Sequence, residues 1–453
     1  MSLAISRLRV VASSNNVKIV DLASLRRVFE VDLAPVMEAY SRVMRSQRLD
    51  KPLVVERNTG IVIGGVEVLE ALDLLSASKA PALLIGQDQV MIKRLSGEIL
   101  KVDDLLEEFR LGRNRLPLRN FEIKYLIDIP SIDVPLDHLY GGVRIDRRVL
   151  RVYDDTLSLL VENWPTPLVR LKSFSSDYRR VYAKLESFNP FSNSVKDRIG
   201  WAMIMDALSR GALGDLLYEA TSTNTGIALA SIGNALGRRV KLFIPKTIQR
   251  VSDVFLKTLG AEVVRVPVSL TVEAIAEVEA SARRDGATHL NQFENDANFK
   301  VHLKYTAREL DQQLRSIGVE PDCIIGGLGT SGHMSAISFY FKSKYGDSVR
   351  IVGVQPAQGH VIPGIRRVES GMKWIHMVKF DEIIDVTSDE AIEGVIEVAR
   401  REGLLIGLSS GAVFKAFRKL SPERGNIVLI FPDNGYKYAE QLEEYFRKRE
   451  QTK

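Results

Sequence analysis

Four short segments of this 453-residue chain carry side chains at spacings that could do chemistry. In FNPFSNSVKDRIG (188–200), Pro190 restricts the chain ahead of a helix, and Ser194-Val195-Lys196-Asp197 fits the helix-start pattern [ST]-x-x-[DE]. Lys196 then falls in the first turn, where the helix dipole disfavours a cation. A lysine held neutral is the form that makes a Schiff base. The same residues read equally as a surface lysine beside a capping box. In EATSTNTGIALA (219–230), a strand runs into hydroxyl and amide groups and then a helix, offering donors to a carboxylate. Ordinary N-capping gives the same pattern. In IIGGLGTSGHMSAISFYF (324–341), glycines let the backbone fold around a phosphate ahead of a helix. The segment is neither a Walker loop nor GxGxxG, so a nucleotide is not the default ligand, and a tight turn is the alternative. His333, with no His or Cys partner close in sequence, reads as a loop histidine bonded locally. In PAQGHVIPGIRRVESGM (356–372), Arg366 and Arg367 are either solvated charges or a fork for an anionic group.

These segments need elements to hold them. From about residue 150 the chain alternates short apolar runs with helical stretches: LLYEA, then TGIALASIGNALG closed by Gly237; VKLFIP, then RVSDVFLKTLG; AEVVRVP; and later CIIGG, IVGVQP and NIVLIFP. That alternation predicts βαβ units and a parallel sheet, with ligands at the carboxyl ends of the strands. Residues 1–110 read differently. Helical stretches at 35–48 and 66–75 flank a hairpin, PLVVERNTGIVIGG, turning at Arg57-Asn58-Thr59-Gly60 with Gly60 at positive φ. Residues 111–150, richer in Pro and Arg (Pro117, Pro130, Pro135, with Gly141 and Gly142), read as a linker of short packed elements.

Composition excludes several classes. With 45% hydrophobic and 26% charged residues the chain is neither disordered nor fibrous. No run of 18 apolar residues points to a membrane span, and the start lacks a secretory apolar core. The net charge is 62 − 57 = +5 and is dispersed, so nucleic-acid binding does not follow. The single cysteine, Cys323, closes no internal disulfide, and no cysteine cluster points to zinc, so no metal is expected. A cytoplasmic location is the expectation.

Seven motifs in order, PTPLVRL, NPFSNSVKDR, EATSTNTGIALA, NQFENDANFKVH, GGLGTSGH, LIGLSSGA and FPDNGYKY, resemble the fold type II enzymes that use pyridoxal 5′-phosphate (PLP), specifically the cysteine synthases. The resemblance covers about 165 to 438. It implies an α/β domain at 151–453 with two open parallel-sheet subdomains. It also implies that Lys196 holds PLP covalently, that Asn224 meets its 3′-oxygen, and that Gly329, Thr330, Ser331, Gly332 and His333 surround its phosphate. Thr221, Ser222, Thr225 and Gln292 then match the groups that take the substrate carboxylate. Within the family, NPFSNSVKDR, NQFENDANF, GTSGHMSA and QPAQGHVIPGIRRVESGM look most like the O-phosphoserine sulfhydrylases. In that subgroup Arg366 matches the arginine associated with the substrate phosphate, and Arg367 is placed to share the task. The implied reaction is β-replacement of the phosphate of O-phosphoserine by sulfide, giving cysteine, in a homodimer. Two departures stand out. Asn434 holds the position where the family uses Ser or Thr at the pyridine nitrogen, with Asp433 beside it. TSTNTG is close to the acetylserine-type TSGNTG, which leaves O-acetylserine open as substrate. Cystathionine β-synthase and a non-catalytic amino-acid sensor are the further alternatives.

The first 110 residues resemble the ParB-like module of free-serine kinases, a small α+β domain. The Asp-Gly-His-His-Arg run of that module aligns with Gly64-Gly65-Val66-Glu67-Val68, which keeps one acid and no histidine or base. The resemblance thus implies a degenerate module with a scaffold or regulatory role rather than phosphoryl transfer. A bifunctional serine kinase and cysteine synthase is the alternative.

Overall fold

The computed structural model describes residues 17–112, 115–140 and 151–451. The chain divides into two compact units, residues 1–149 and 150–453.

The first unit is α+β. Its mixed four-stranded sheet runs in the order Val17–Asp21, Lys79–Ile85, Leu53–Glu56, Val62–Gly64. The last two strands form the expected hairpin, with Gly60 at φ 73°. The helix Leu33–Ser46 buries Leu33, Val36, Met37, Tyr40, Val43 and Met44, one stripe at three- and four-residue spacing. It stops two residues short of the expected end because Gln47 turns left-handed, φ 54°. The second helix is Val66–Leu74. Residues 115–140, expected as a linker, pair with strands of this unit: Leu116–Pro117 with Phe29–Glu30, Phe121–Tyr125 with Val90–Arg94, and Val134–Pro135 with Arg48–Leu49. Alternating Phe121, Ile123 and Tyr125 have an apolar face to cover, so the stretch packs as short elements on this unit. Residues 113–114 and 141–150 of the expected linker, Gly141 and Gly142 included, lie outside the described residues.

The second unit holds two sheets. One has the order Leu168–Arg170, Arg179–Leu185, Gly425–Phe431, Cys323–Gly327, Arg350–Pro356, Glu382–Val386. The other, parallel throughout, has the order Glu262–Val266, Arg239–Pro245, Leu216–Ala220, Thr288–His289. The runs CIIGG and NIVLIFP are apolar almost throughout because helices cover both faces of a parallel sheet. Ile325, Val352, Val354, Phe414, Leu429 and Phe431 share one core; Ile199, Met203, Leu229, Leu242 and Leu256 share another. Only the edge strand Leu168–Arg170 runs antiparallel in the larger sheet. Its connection to the next strand, 171–178, is too short for a parallel crossover, which takes about a dozen residues.

Candidate active site

A cavity open at its mouth lies where strands of both sheets of the second unit end. Lys196, Asn224, Gly329, Thr330, Arg366 and Lys437 all line it. Each follows a strand's carboxyl end or begins the helix packed beside one, as the parallel-sheet rule requires.

Lys196 is the first residue of the helix Lys196–Ser209. The expected capping box does not form. Val195 is the N-cap, and the Asp197 carboxylate turns back to accept from Phe191 N and Ser192 N, both at 2.8 Å, and from the Ser192 hydroxyl. Satisfying that buried loop takes precedence over the cap, because its amides have no water to bond. Burial raises the Asp197 pKa to about 6. Ser194 Oγ instead accepts from Lys196 N at 3.1 Å. The Lys196 amine makes no hydrogen bond or ion pair among the described residues. Desolvation lowers its pKa to about 8, the Asp433 carboxylate opposing and Arg366 adding to the shift.

The segment 221–225 opens the helix Thr223–Ala235 after the strand Leu216–Ala220. Ser222, Thr223, Asn224 and Thr225 line the cavity; Thr221 does not, and its hydroxyl is spent on Ser222 O at 3.0 Å. Thr225 Oγ1 donates to Gln292 Oε1 at 2.9 Å, and Gln292 Nε2 donates to Ala220 O at 3.0 Å, so Gln292 is brought to the same wall. Thr223, which the sequence did not single out, shares a hydrogen bond of 2.6 Å with Ser252.

The glycine loop leads from the strand Cys323–Gly327 into the helix Gly332–Tyr345. Gly329 and Thr330 line the cavity, whereas Ser331, Gly332 and His333 continue into the helix start without lining it. Ser331 has φ 72°, a left-handed turn, and its buried Oγ has no partner among the described residues. A Cβ at Gly329 would come 2.5 Å from Gly364 O, and one at Gly332 would collide with the Asn298 amide. His333 is buried, its pKa pushed down to about 3 by desolvation, so it is a neutral packed histidine with its ring against His302.

The two arginines part company. Arg366 lines the cavity; its Nε donates to Gly329 O at 2.8 Å and its Nη1 to Ser370, while Nη2 makes no hydrogen bond among the described residues. Burial lowers its pKa to about 10. Arg367 is away from the cavity and paired with Asp385 at 2.7 Å and Glu369 at 3.0 Å.

After the strand Gly425–Phe431, the structure places Asp433 rather than Asn434 in the interior. Asp433 is 2% exposed, accepts from Asn224 Nδ2 at 2.8 Å and Tyr438 Oη at 2.5 Å, and lies 4.0 Å from Lys437 Nζ. Asn434 does not line the cavity, and its Oδ1 accepts from Tyr436 N at 3.3 Å. Lys437 and Tyr438 were therefore missed, and Asp433 was noted only as the neighbour of Asn434. The rule that ligands meet strand ends applied to Asp433 as much as to its neighbour.

Residues 159–433 match the family model described as pyridoxal-phosphate dependent enzyme. A cysteine synthase of Aquifex aeolicus is 35% identical over 303 residues, covering 63% of this chain and 90% of that protein. A cysteine synthase of Staphylococcus aureus is 36% identical over 289 residues, covering 60% and 92%. Among solved structures, a hydrogen sulfide-producing enzyme from Fusobacterium nucleatum aligns with a TM-score of 0.58 at 30% identity, covering 63% of this chain and all of that one. An O-ureido-L-serine synthase aligns at 0.56 and 25% identity, covering 63% and 93%.

The cavity fits PLP. Among the described residues the Lys196 amine has no partner, and two buried polar atoms, Asn224 Oδ1 at the cavity wall and Ser331 Oγ where the glycine loop enters its helix, are unsatisfied. The glycine loop has room only for backbone, and the start of the helix Gly332–Tyr345 supplies free N–H groups for a phosphate.

Proposed function

The chain belongs to the pyridoxal-phosphate dependent enzymes, and we propose that within them it is a cysteine synthase, replacing the phosphate of O-phospho-L-serine by sulfide. The curated relatives carry the reaction class in their names. The substrate rests on one observation: Arg366 faces the cavity with no carboxylate paired to it, whereas Arg367 is doubly paired. Burial lowers the Arg366 pKa although the Glu294 carboxylate opposes the shift, and a partly buried cation with no directly bonded carboxylate among the described residues favours an anionic ligand.

PLP, held by Lys196 and the glycine loop, supplies an electron sink for charge developing at the substrate α-carbon. In this reading Lys196 Nζ, neutral at lower pH than an exposed lysine, takes the α-proton and later returns it. The Ser222 hydroxyl and the remaining Gln292 Nε2–H orient the substrate carboxylate, and Thr225, whose one hydroxyl proton goes to Gln292 Oε1, holds that amide in place. Arg366 Nη2 stabilises charge on the departing phosphate. The test is a steady-state comparison of phosphoserine and acetylserine. Arg366→Ala should lose roughly 10- to 100-fold in kcat/KM on phosphoserine, the scale of a hydrogen bond to a charged group, and far less on acetylserine. Equal losses would give Arg366 a structural role and return acetylserine as the substrate.

The first unit, in this reading a degenerate ParB-like module, is regulatory or a scaffold. The Tyr125 hydroxyl fills the space a side chain at Gly64 would need, in the run where the resembled module carries its charged groups. Nucleotide-dependent phosphorylation of free serine should be absent; its detection would make the chain bifunctional. Homodimer formation is part of the proposal and is checked by sedimentation equilibrium; no nucleic acid or membrane partner belongs to it.

A further inference from the structure

A carboxamide has two ends of nearly equal size and can sit either way round. Asn224 lines the cavity beside Lys196, so which end faces a bound molecule matters. We infer that Asp433 is a positioning residue that acts through Asn224: its carboxylate fixes the hand of that amide. The inference rests on the cofactor cavity and is independent of which amino acid is the substrate.

An ionised carboxylate accepts and never donates, so it pairs only with the NH2 end of an amide. Asp433 Oδ2 takes Asn224 Nδ2 at 2.8 Å. That leaves Asn224 Oδ1, buried and without a partner among the described residues, and the second N–H in set directions. The carboxylate is held through its Oδ2 and through its backbone, while its Oδ1 is buried with no partner among the described residues. Tyr438 Oη donates to Oδ2 at 2.5 Å, and Lys437 lies 4.0 Å away. Gly407 N donates to the Asp433 carbonyl at 3.1 Å, and Ser410 Oγ reaches that oxygen at 3.4 Å. Any side chain at Gly407 would collide with the carboxylate, so the seat is built for it. An asparagine in the place of Asp433 could present either end, and the flip would return.

The test is a double-mutant cycle between Asp433→Ala and Asn224→Ala on the full chain, read as the PLP dissociation constant of the apoenzyme and the absorption maximum after reconstitution. Asp433→Ala should weaken PLP binding roughly tenfold and shift the band when Asn224 is present. Read well above pH 8, where the Lys196 amine is already neutral and the direct Asp433–Lys196 attraction no longer enters, the same change in the Asn224→Ala background should cost less than about twofold. Circular dichroism monitors folding, and Asp433→Asn, which keeps shape and bulk, gives a second cycle with the same expected coupling. A full loss that persists without Asn224 overturns the inference, because the carboxylate then acts on the site independently.

Discussion

Lys196 owes its chemistry to its surroundings rather than to its type. Withdrawn from bulk water, its amine titrates at about 8 instead of 10.5. Burial drives the shift, with the Arg366 charge adding to it and the Asp433 carboxylate opposing it. The neutral amine is the nucleophile, so its fraction grows as pH rises through about 8 and levels off above. Reconstitution of the apoenzyme with PLP, followed by visible absorption, should therefore accelerate through about pH 8 and then plateau. A midpoint near 10.5 would mean a solvated amine. Lys196→Ala should give no visible band from lysine-bound cofactor at any pH, and a retained band would reject the assignment. At this scale the sequence was legible where motif and strand end coincide, as for Lys196, Asn224, Thr225 and Gly329. It was not legible where neighbours had to be told apart. Asp433 bridges to Ser194 and Asn434 to Ile406, on opposite sides of one extended segment. Successive side chains of such a segment point opposite ways, and only the side-chain partners found in the fold, Asn224 and Tyr438 for Asp433, reveal which way is inward. Arg366 and Arg367 pose the same problem, solved by Asp385 and Glu369, which lie elsewhere in the chain.

The elements were easier to read, because apolar runs buried on both faces and glycine-closed helices leave local signals. LLYEA, CIIGG and NIVLIFP are strands close to where they were expected. The capping box at Ser194 failed because a tertiary demand, the buried amides of Phe191 and Ser192, outbid a local pattern. A second tertiary device sits at the end of the strand Leu216–Ala220. The buried Glu219 carboxyl accepts from Asn291 N at 2.8 Å and Gln292 N at 3.1 Å, tying the strand to the segment that carries Gln292. Burial raises its pKa from 4.5 to about 8 despite those hydrogen bonds. The folded state thus holds this proton more tightly than the unfolded chain. Its stabilising contribution is complete below 4.5 and is lost as pH rises through about 8. Thermal unfolding of Glu219→Gln and the parent should accordingly diverge in favour of the glutamine variant across that window. A constant difference in Tm would show that the hydrogen bonds already keep the carboxylate ionised.

For the molecule as a whole, the division of labour is testable. Every residue that lines the cavity belongs to the second unit, and the family match, 159–433, lies wholly inside it. The second unit carries its own cores: the described residues of the clusters around Phe414 and around Ile199 all lie beyond 150. A chain of residues 151–453 is therefore expected to fold and to bind PLP with the absorption maximum of the full protein. Its kcat/KM on phosphoserine should stay within about threefold, the range of an alteration that touches no group at the site. If the first unit is regulatory, the two forms should differ instead in how their rates respond to an added effector such as serine. A truncated chain that folds, by circular dichroism, yet binds PLP weakly would place the first unit among the determinants of the site, and the reading of it as a separate regulatory module would fail.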